Sequence, residues 1–327
     1  MKKITSVLTL SLLAVSGGTL CLAADTPYHF IKDIPVPGKA QWDYLRLDPE
    51  AHRLYLSHGT KVEVIDLDKG AVIGAIDNTP GVHGMALAPK IGRVFISNGQ
   101  EDTASIVDIK TLQTLSKVKT GGNPDSILYE PTQNEVYTFN GRGKSATVFG
   151  AESGKVIATI DLGGKPESAA ADAQAGRIYV NIEDKSEVAV IDIKAHKVVS
   201  RWPIAPGQTA SGMAIDLDHH RLFLGCDNKK MVMMDYTTGK VVTTVPIGAG
   251  VDANAFDPGT QLAFSSNGEE GTTTIAKETS PDKLTVVQDL KTVVGARTMT
   301  LDPVTHNIYL PAPTPTFRIL VYGMDKP

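Results

Sequence analysis

The chain has 327 residues, 42% hydrophobic and 21% charged, with 36 acidic against 32 basic side chains and a formal net charge of −4. The acidic balance argues against a binder of nucleic-acid backbones, which normally carries a basic excess. Two cysteines are too few for a disulfide framework. The apolar stretch at the N-terminus is too short, and too broken by Gly and Ser, to cross a bilayer, and no later stretch is long enough.

In chain order, Lys2 and Lys3 precede an apolar run from Ile4 to Val15, and Cys21-Leu22-Ala23 precedes Ala24. This is the layout of a cleavable secretory signal over residues 1–23, so the mature protein is expected over 24–327 and in a periplasmic or secreted location. Thr19-Leu20 ahead of Cys21 does not fit lipidation. Losing Lys2 and Lys3 takes the net charge from −4 to −6 and leaves Cys226 as the one cysteine, which excludes an intramolecular disulfide. Cys226 reads as a half-buried residue at a strand end.

The next segment, His29 to Gly38 (HFIKDIPVPG), alternates like a strand and matches Lys240 to Gly250 (KVVTTVPIGAG) in length and terminal Pro/Gly. One phrase then recurs seven times, an Asp-Pro-like turn followed by a strand with an aromatic near its end. The copies are LDPEAHRLYLS (Leu47 to Ser57), LAPKIGRVFIS (Leu87 to Ser97), YEPTQNEVYTF (Tyr129 to Phe139) and ADAQAGRIYVN (Ala171 to Asn181). Then follow IDLDHHRLFLG (Ile215 to Gly225), FDPGTQLAFSS (Phe256 to Ser266) and LDPVTHNIYLP (Leu301 to Pro311). The aromatic column is Tyr55, Phe95, Tyr137, Tyr179, Phe223 and Tyr309, with Ala263 in the sixth copy, at steps of 40, 42, 42, 44, 40 and 46 residues. A period in this range with strand-type content marks a radial array of four-stranded blades.

The fifth repeat shows the unit. Met213 to Ile215 is the innermost strand, Arg221 to Gly225 the second, Met231 to Tyr236 the third and Val241 to Ile247 the outer one, with a Gly-containing turn at Thr237 to Lys240. Alternation puts Met231 and Met233 on one face, where core packing accounts for them. The sixth repeat departs from the usual third-strand spacing between Thr272 and Asp289. The seventh ends after its third strand, at Gly323, so His29 to Gly38 is predicted to supply its outer strand. That closes the ring and removes two exposed sheet edges. The fold expected is therefore all-β, a single seven-bladed β-propeller domain of four-stranded antiparallel blades.

These repeats resemble the YVTN/YncE-type β-propeller repeat family, most closely at IYVN (Ile178 to Asn181) and VIDIKAHKVV (Val190 to Val199). The resemblance spans nearly the whole mature chain and implies an exported propeller. It implies no single activity, because similar propellers include surface-layer proteins, parts of electron-transfer enzymes, lactonases and lyases.

Five residues before each Asp-Pro-like turn lies one polar column: Asp43, His83, Asp125, Glu167, Ser211, Asp252 and Arg297. Two residues on, the column is largely apolar (Leu45, Met85, Ile127, Ala169, Met213, Asn254, Met299). The polar ring is thus expected at the mouth of a central funnel, where carboxylates, histidine and arginine would shift one another's pKa values. Such a set could bind a ligand, hold a divalent metal ion, or supply an acid and a base. The alternative is that each member caps a strand end. Loops after the second strands add His58, Asn98, Asn140, Glu183, Asp227 and Asn267 to the same face, and Trp42 and Tyr44 flank Asp43. His52, His219, His220 and His306 fall in turns on the opposite face and are expected to be solvated.

The sequence points first to a monomeric binding protein with a small molecule, ion or protein at the funnel mouth, ligated by the polar column together with His58. The competing readings are an enzyme of hydrolase, lactonase or lyase type and a protein-interaction scaffold. In the enzyme, His83 would be base or metal ligand, Asp125, Glu167 and Asp252 ligands or acids, and Arg297 an anion clamp. No zinc-type Cys/His spacing, haem-attachment pair, phosphate-cradling loop or nucleophile elbow is present.

Overall fold

The computed structural model describes residues 27–325. The secretory signal read over 1–23 lies outside the described residues. Among these, 28 strands form seven four-stranded sheets, and the helical content is two single 3-10 turns, Pro89–Ile91 and Glu183–Lys185. Within the first blade the strands run Leu45–Asp48, Arg53–His58, Lys61–Asp66 and Ala71–Ile76, each antiparallel to the last. The inner strands of blades two to six are Val82–Ala88, Pro124–Glu130, Pro166–Asp172, Ala210–Asp216 and Val251–Asp257. This is the seven-bladed propeller that the 40-to-46-residue period predicts.

The ring closes as expected. His29–Pro35 pairs antiparallel with the third strand of blade seven, Arg318–Gly323, in a register running from His29 opposite Gly323 to Pro35 opposite Arg318. Blade seven is thus built from both ends of the described chain.

The core lies between blades. Leu45, Leu54, Leu56 and Ile65 of blade one pack with Tyr309, Ile319 and Val321 of blade seven, and each neighbouring pair repeats the arrangement. β-Branched residues recur here because both faces of every sheet are covered. The aromatic column is buried throughout, from Tyr55 to Tyr309. In blade six, where the column carries Ala263, its cross-strand partner Phe256 supplies the missing bulk and stacks on Phe223 at 4.9 Å. Met231 and Met233 are fully buried among these residues. Cys226 is also fully buried, more deeply than its position at a strand end suggests, and burial pushes its thiol pKa up to about 12.

The irregular sixth blade has a simple cause. Its third and outer strands, Thr272–Ser280 and Lys283–Lys291, run nine residues each, where the third strands of blades one to five run six. The longer hairpin carries blade six past the rim of the face opposite the polar column.

Candidate funnel-mouth site

In blades two to six the ladder between inner and second strands slips by one residue at the polar column. Val82 pairs with Asn98, but Met85 pairs with Ile96, so His83 and Gly84 together face Ser97. The same slip falls at Asp125, Glu167, Ser211 and Asp252. A bulge bends the strand and re-aims the side chain on its extra residue. In these five blades the column residue therefore leaves the regular ladder at the mouth end of the inner strand.

Five of the seven column carbonyls are held by the blade before them. Ser97 Oγ donates to the Asp125 carbonyl at 2.5 Å, Ser126 Oγ to that of Glu167, Asn181 Nδ2 to that of Ser211 at 3.2 Å, Ser266 Oγ to that of Arg297, and Thr298 Oγ1 to that of Asp43 at 2.6 Å. The donors complement one another. Where the second strand offers Ser97, Asn181 or Ser266 it makes the bond, and where it carries Phe139 or Pro311 a hydroxyl on the inner strand (Ser126) or just before it (Thr298) takes over. Main-chain capping thus uses the carbonyls and leaves the charged side chains free.

Those side chains meet. His83 Nδ1 lies 2.6 Å from Asp43 Oδ2 and 3.9 Å from Asp125 Oδ1. Arg297 Nε donates to Asp252 Oδ2 at 2.8 Å, and its Nη2 lies 3.8 Å from Asp43 Oδ1. Lys165, two residues before Glu167, reaches Glu167 Oε1 at 2.5 Å and also bonds Glu183. Ser211 is buried, and its place in the ring is fixed through its carbonyl. Asp43, Glu167 and Asp252 therefore each have a close cation, whereas the nearest cation to Asp125 is His83 at 3.9 Å.

Titration follows this layout. Burial, then the Asp43 charge, pushes Asp125 up to about 7, with His83 pulling the other way. Burial and Asp125 raise Glu167, against Lys165, while burial and Asp43 raise Asp252, against Arg297. Burial lowers His83, but the Asp43 bond and the Asp125 charge outweigh it and bring its pKa up to about 9. His83 is therefore a protonated donor at neutral pH, unsuited to act as a base there. Asp43, His83 and Asp125 place one ligand atom each within 4.8 Å. A metal bound there would have to displace the proton that His83 Nδ1 shares with Asp43.

Tyr44 lines the channel below the ring, and its pKa is raised by burial and then by Asp125, Asp43, Asp252 and Glu167. The channel below encloses about 320 Å³ lined by Tyr44, Met85, Ile127, Met213 and Met299, with Arg46 inside it donating to the Met85 carbonyl at 3.3 Å. Trp42 is held between Phe317, stacked at 5.4 Å, and the Arg297 guanidinium, 5.4 Å above its ring. It packs the seam between blades seven and one and also orients Arg297.

His58 is not brought to this set. It is buried, with Nδ1 3.0 Å from Glu63 Oε1 and Nε2 2.8 Å from the Lys39 carbonyl, so both ring nitrogens are taken. Asn98, Asn140 and Asn267 likewise turn inward to hydroxyls on the third strands, such as Ser105, Thr147 and Thr274. The reason is common to all four: the residue closing the second strand braces the hairpin that follows. Lys165 and Arg46 are the site residues that the repeat columns do not single out. On the opposite face, His52 is exposed, but His306 Nδ1 bonds Asp257 at 2.7 Å and His219 sits against two buried carboxylates, so the turn histidines are not all solvated.

No protein-family profile and no curated protein sequence matches the chain. Among solved structures it is similar to a chain of hydrazine synthase from Kuenenia stuttgartiensis, with a TM-score of 0.75 and 16% identity, over 88% of this chain and 97% of that one. At that identity the likeness shows the propeller fold alone.

Proposed function

We propose that the protein is a binding protein whose funnel mouth takes a small organic cation, an amine-bearing molecule with its apolar portion in the channel below. The observation that carries this reading is Asp125, a carboxylate crowded by other acids, with its nearest cation 3.9 Å away, at the top of a channel of about 320 Å³. An incoming ammonium group supplies the missing charge, the Met85, Ile127, Met213 and Met299 side chains take the aliphatic part, and Arg46 offers a donor to a carboxylate or carbonyl at the far end. His83, protonated and tied to Asp43, orients the acids and does not serve as base or metal ligand. Export through the N-terminal leader, action outside the cytoplasm as a monomer, and kinship with the YVTN/YncE-type propellers belong to the same reading. Support for the kinship rests on the IYVN and VIDIKAHKVV segments and the propeller fold.

Titration calorimetry of a panel of amino acids, polyamines and quaternary ammonium compounds tests it. Saturable binding of one of them should weaken at least about tenfold, some 1.4 kcal/mol, in Asp125→Asn. Absence of heat from every member of the panel would overturn the reading.

A further inference from the structure

On the face opposite the mouth, Asp216 and His219 of the inner-strand turn of blade five meet Glu278 of the long third strand of blade six. Glu278 follows Lys277, and its N–H donates to the Gln261 carbonyl. Leu67, Ile109, Ala151, Ile193 and Tyr236 make the same backbone bond in blades one to five. Five of six blades thus place an apolar or aromatic side chain where blade six places a carboxylate that is 3% exposed.

The neighbouring interface shows what this position ordinarily does. In blade five Tyr236 donates its hydroxyl to Asp172, the acid ending the inner strand of blade four, at 3.0 Å. In blade six the carboxyl of Glu278 instead meets that of Asp216, the equivalent acid of blade five. Both Glu278 carboxylate oxygens, Asp216 Oδ2 and His219 Nδ1 are buried without a hydrogen-bond partner. His219 Nδ1 nonetheless lies 2.8 Å from Asp216 Oδ2 and 3.2 Å from Glu278 Oε1. Buried carboxylates cost several kcal/mol unless charge compensates them, and here two of them share the single imidazole of His219. Arg221 of blade five is engaged by the Pro281 carbonyl and Asp282.

We propose that Asp216, His219 and Glu278 form a binding site for a divalent transition-metal ion, of the Zn²⁺ class, that clamps the long hairpin of blade six onto blade five. One imidazole nitrogen with carboxylate oxygens is a donor set such ions take. The three donor atoms lie within 4.8 Å of one another, against the ~3.4 Å spacing that ~2.1 Å tetrahedral bonds require. His219, part exposed, leaves a route for the ion and a position for water. The site is remote from the polar column and does not depend on the proposed function.

The test is Zn²⁺ binding to chelator-treated protein, followed by calorimetry and thermal shift. Expected are one ion per chain, a raised Tm, and an affinity at least about a hundredfold lower in His219→Ala and in Glu278→Leu. Asp125→Asn should bind Zn²⁺ as the parent does. Glu278→Leu installs the residue that blade one uses, so it should melt higher than the metal-free parent while losing the metal response, which separates a lost ligand from a lost fold. No Zn²⁺ binding by the parent, or binding that survives Glu278→Leu, overturns the proposal. The first result would mean that a proton shared by Glu278 and Asp216 relieves the clash instead.

Discussion

Asp125 shows how a single side chain can carry a functional assignment. Its carboxyl titrates near 7 because it is buried among other acids, whereas in the unfolded chain it titrates near 4. A carboxyl raised in the folded state contributes stability below its unfolded pKa and loses it as pH climbs through the folded value. His83, raised to about 9, likewise contributes below about 6.5 and loses its contribution through about 9. The mouth of the unliganded protein therefore weakens in steps as pH rises from about 4 to about 9, Asp125 first, with Glu167, raised to about 8, adding to the loss. Asp125→Asn removes the first step. Its Tm relative to the parent should climb between about pH 4 and pH 7, by an amount equivalent to roughly 3–4 kcal/mol. A difference that stays flat across that window would show that Asp125 is ionised normally.

At the scale of strands, the bulge and the hydroxyl clasp together explain why the polar column reaches the axis. The clasp is testable. Ser266→Ala leaves the Arg297 carbonyl without its donor and should cost roughly 1–3 kcal/mol, measured as a fall in Tm. Ser57→Ala serves as a comparison, because its hydroxyl accepts from the Asp43 N–H within its own blade and binds no neighbour's carbonyl. An unchanged Tm in Ser266→Ala would make the clasp incidental. The polar column itself was legible by counting back from the Asp-Pro-like turns, since homologous turns keep homologous offsets. The bulge was not, because a one-residue slip leaves no mark in a polar-then-apolar pattern. His58 misled for a related reason. Position along the repeat gives the end of the blade on which a residue sits, but not whether its side chain turns inward to Glu63. Glu278 was masked by the altered spacing of blade six, although aligning the third strands on Leu67, Ile109, Ala151, Ile193 and Tyr236 exposes it.

For the whole molecule, the period of about 42 residues determined the blade number, and the truncated seventh repeat determined the closure. Both follow from one requirement, that every sheet edge facing a neighbour be paired or covered. Deleting residues 24–38 should strip the outer strand from blade seven and lower Tm sharply. Joining Gly323 to His29 through a short turn, with a new start after Gly38, should keep the fold and a Tm close to that of the parent, since the two residues already face each other. Loss of structure in that permutant would show that the seam is not what holds the ring.

The direction of the seam has a mechanical consequence. His29 and Gly323 lie side by side at one end of an antiparallel pair, so a force applied through the two termini loads the interstrand hydrogen bonds singly, as in a zipper, not all together in shear. The ring should part at low force between these strands first, releasing blade seven as an early, small extension before any other blade yields.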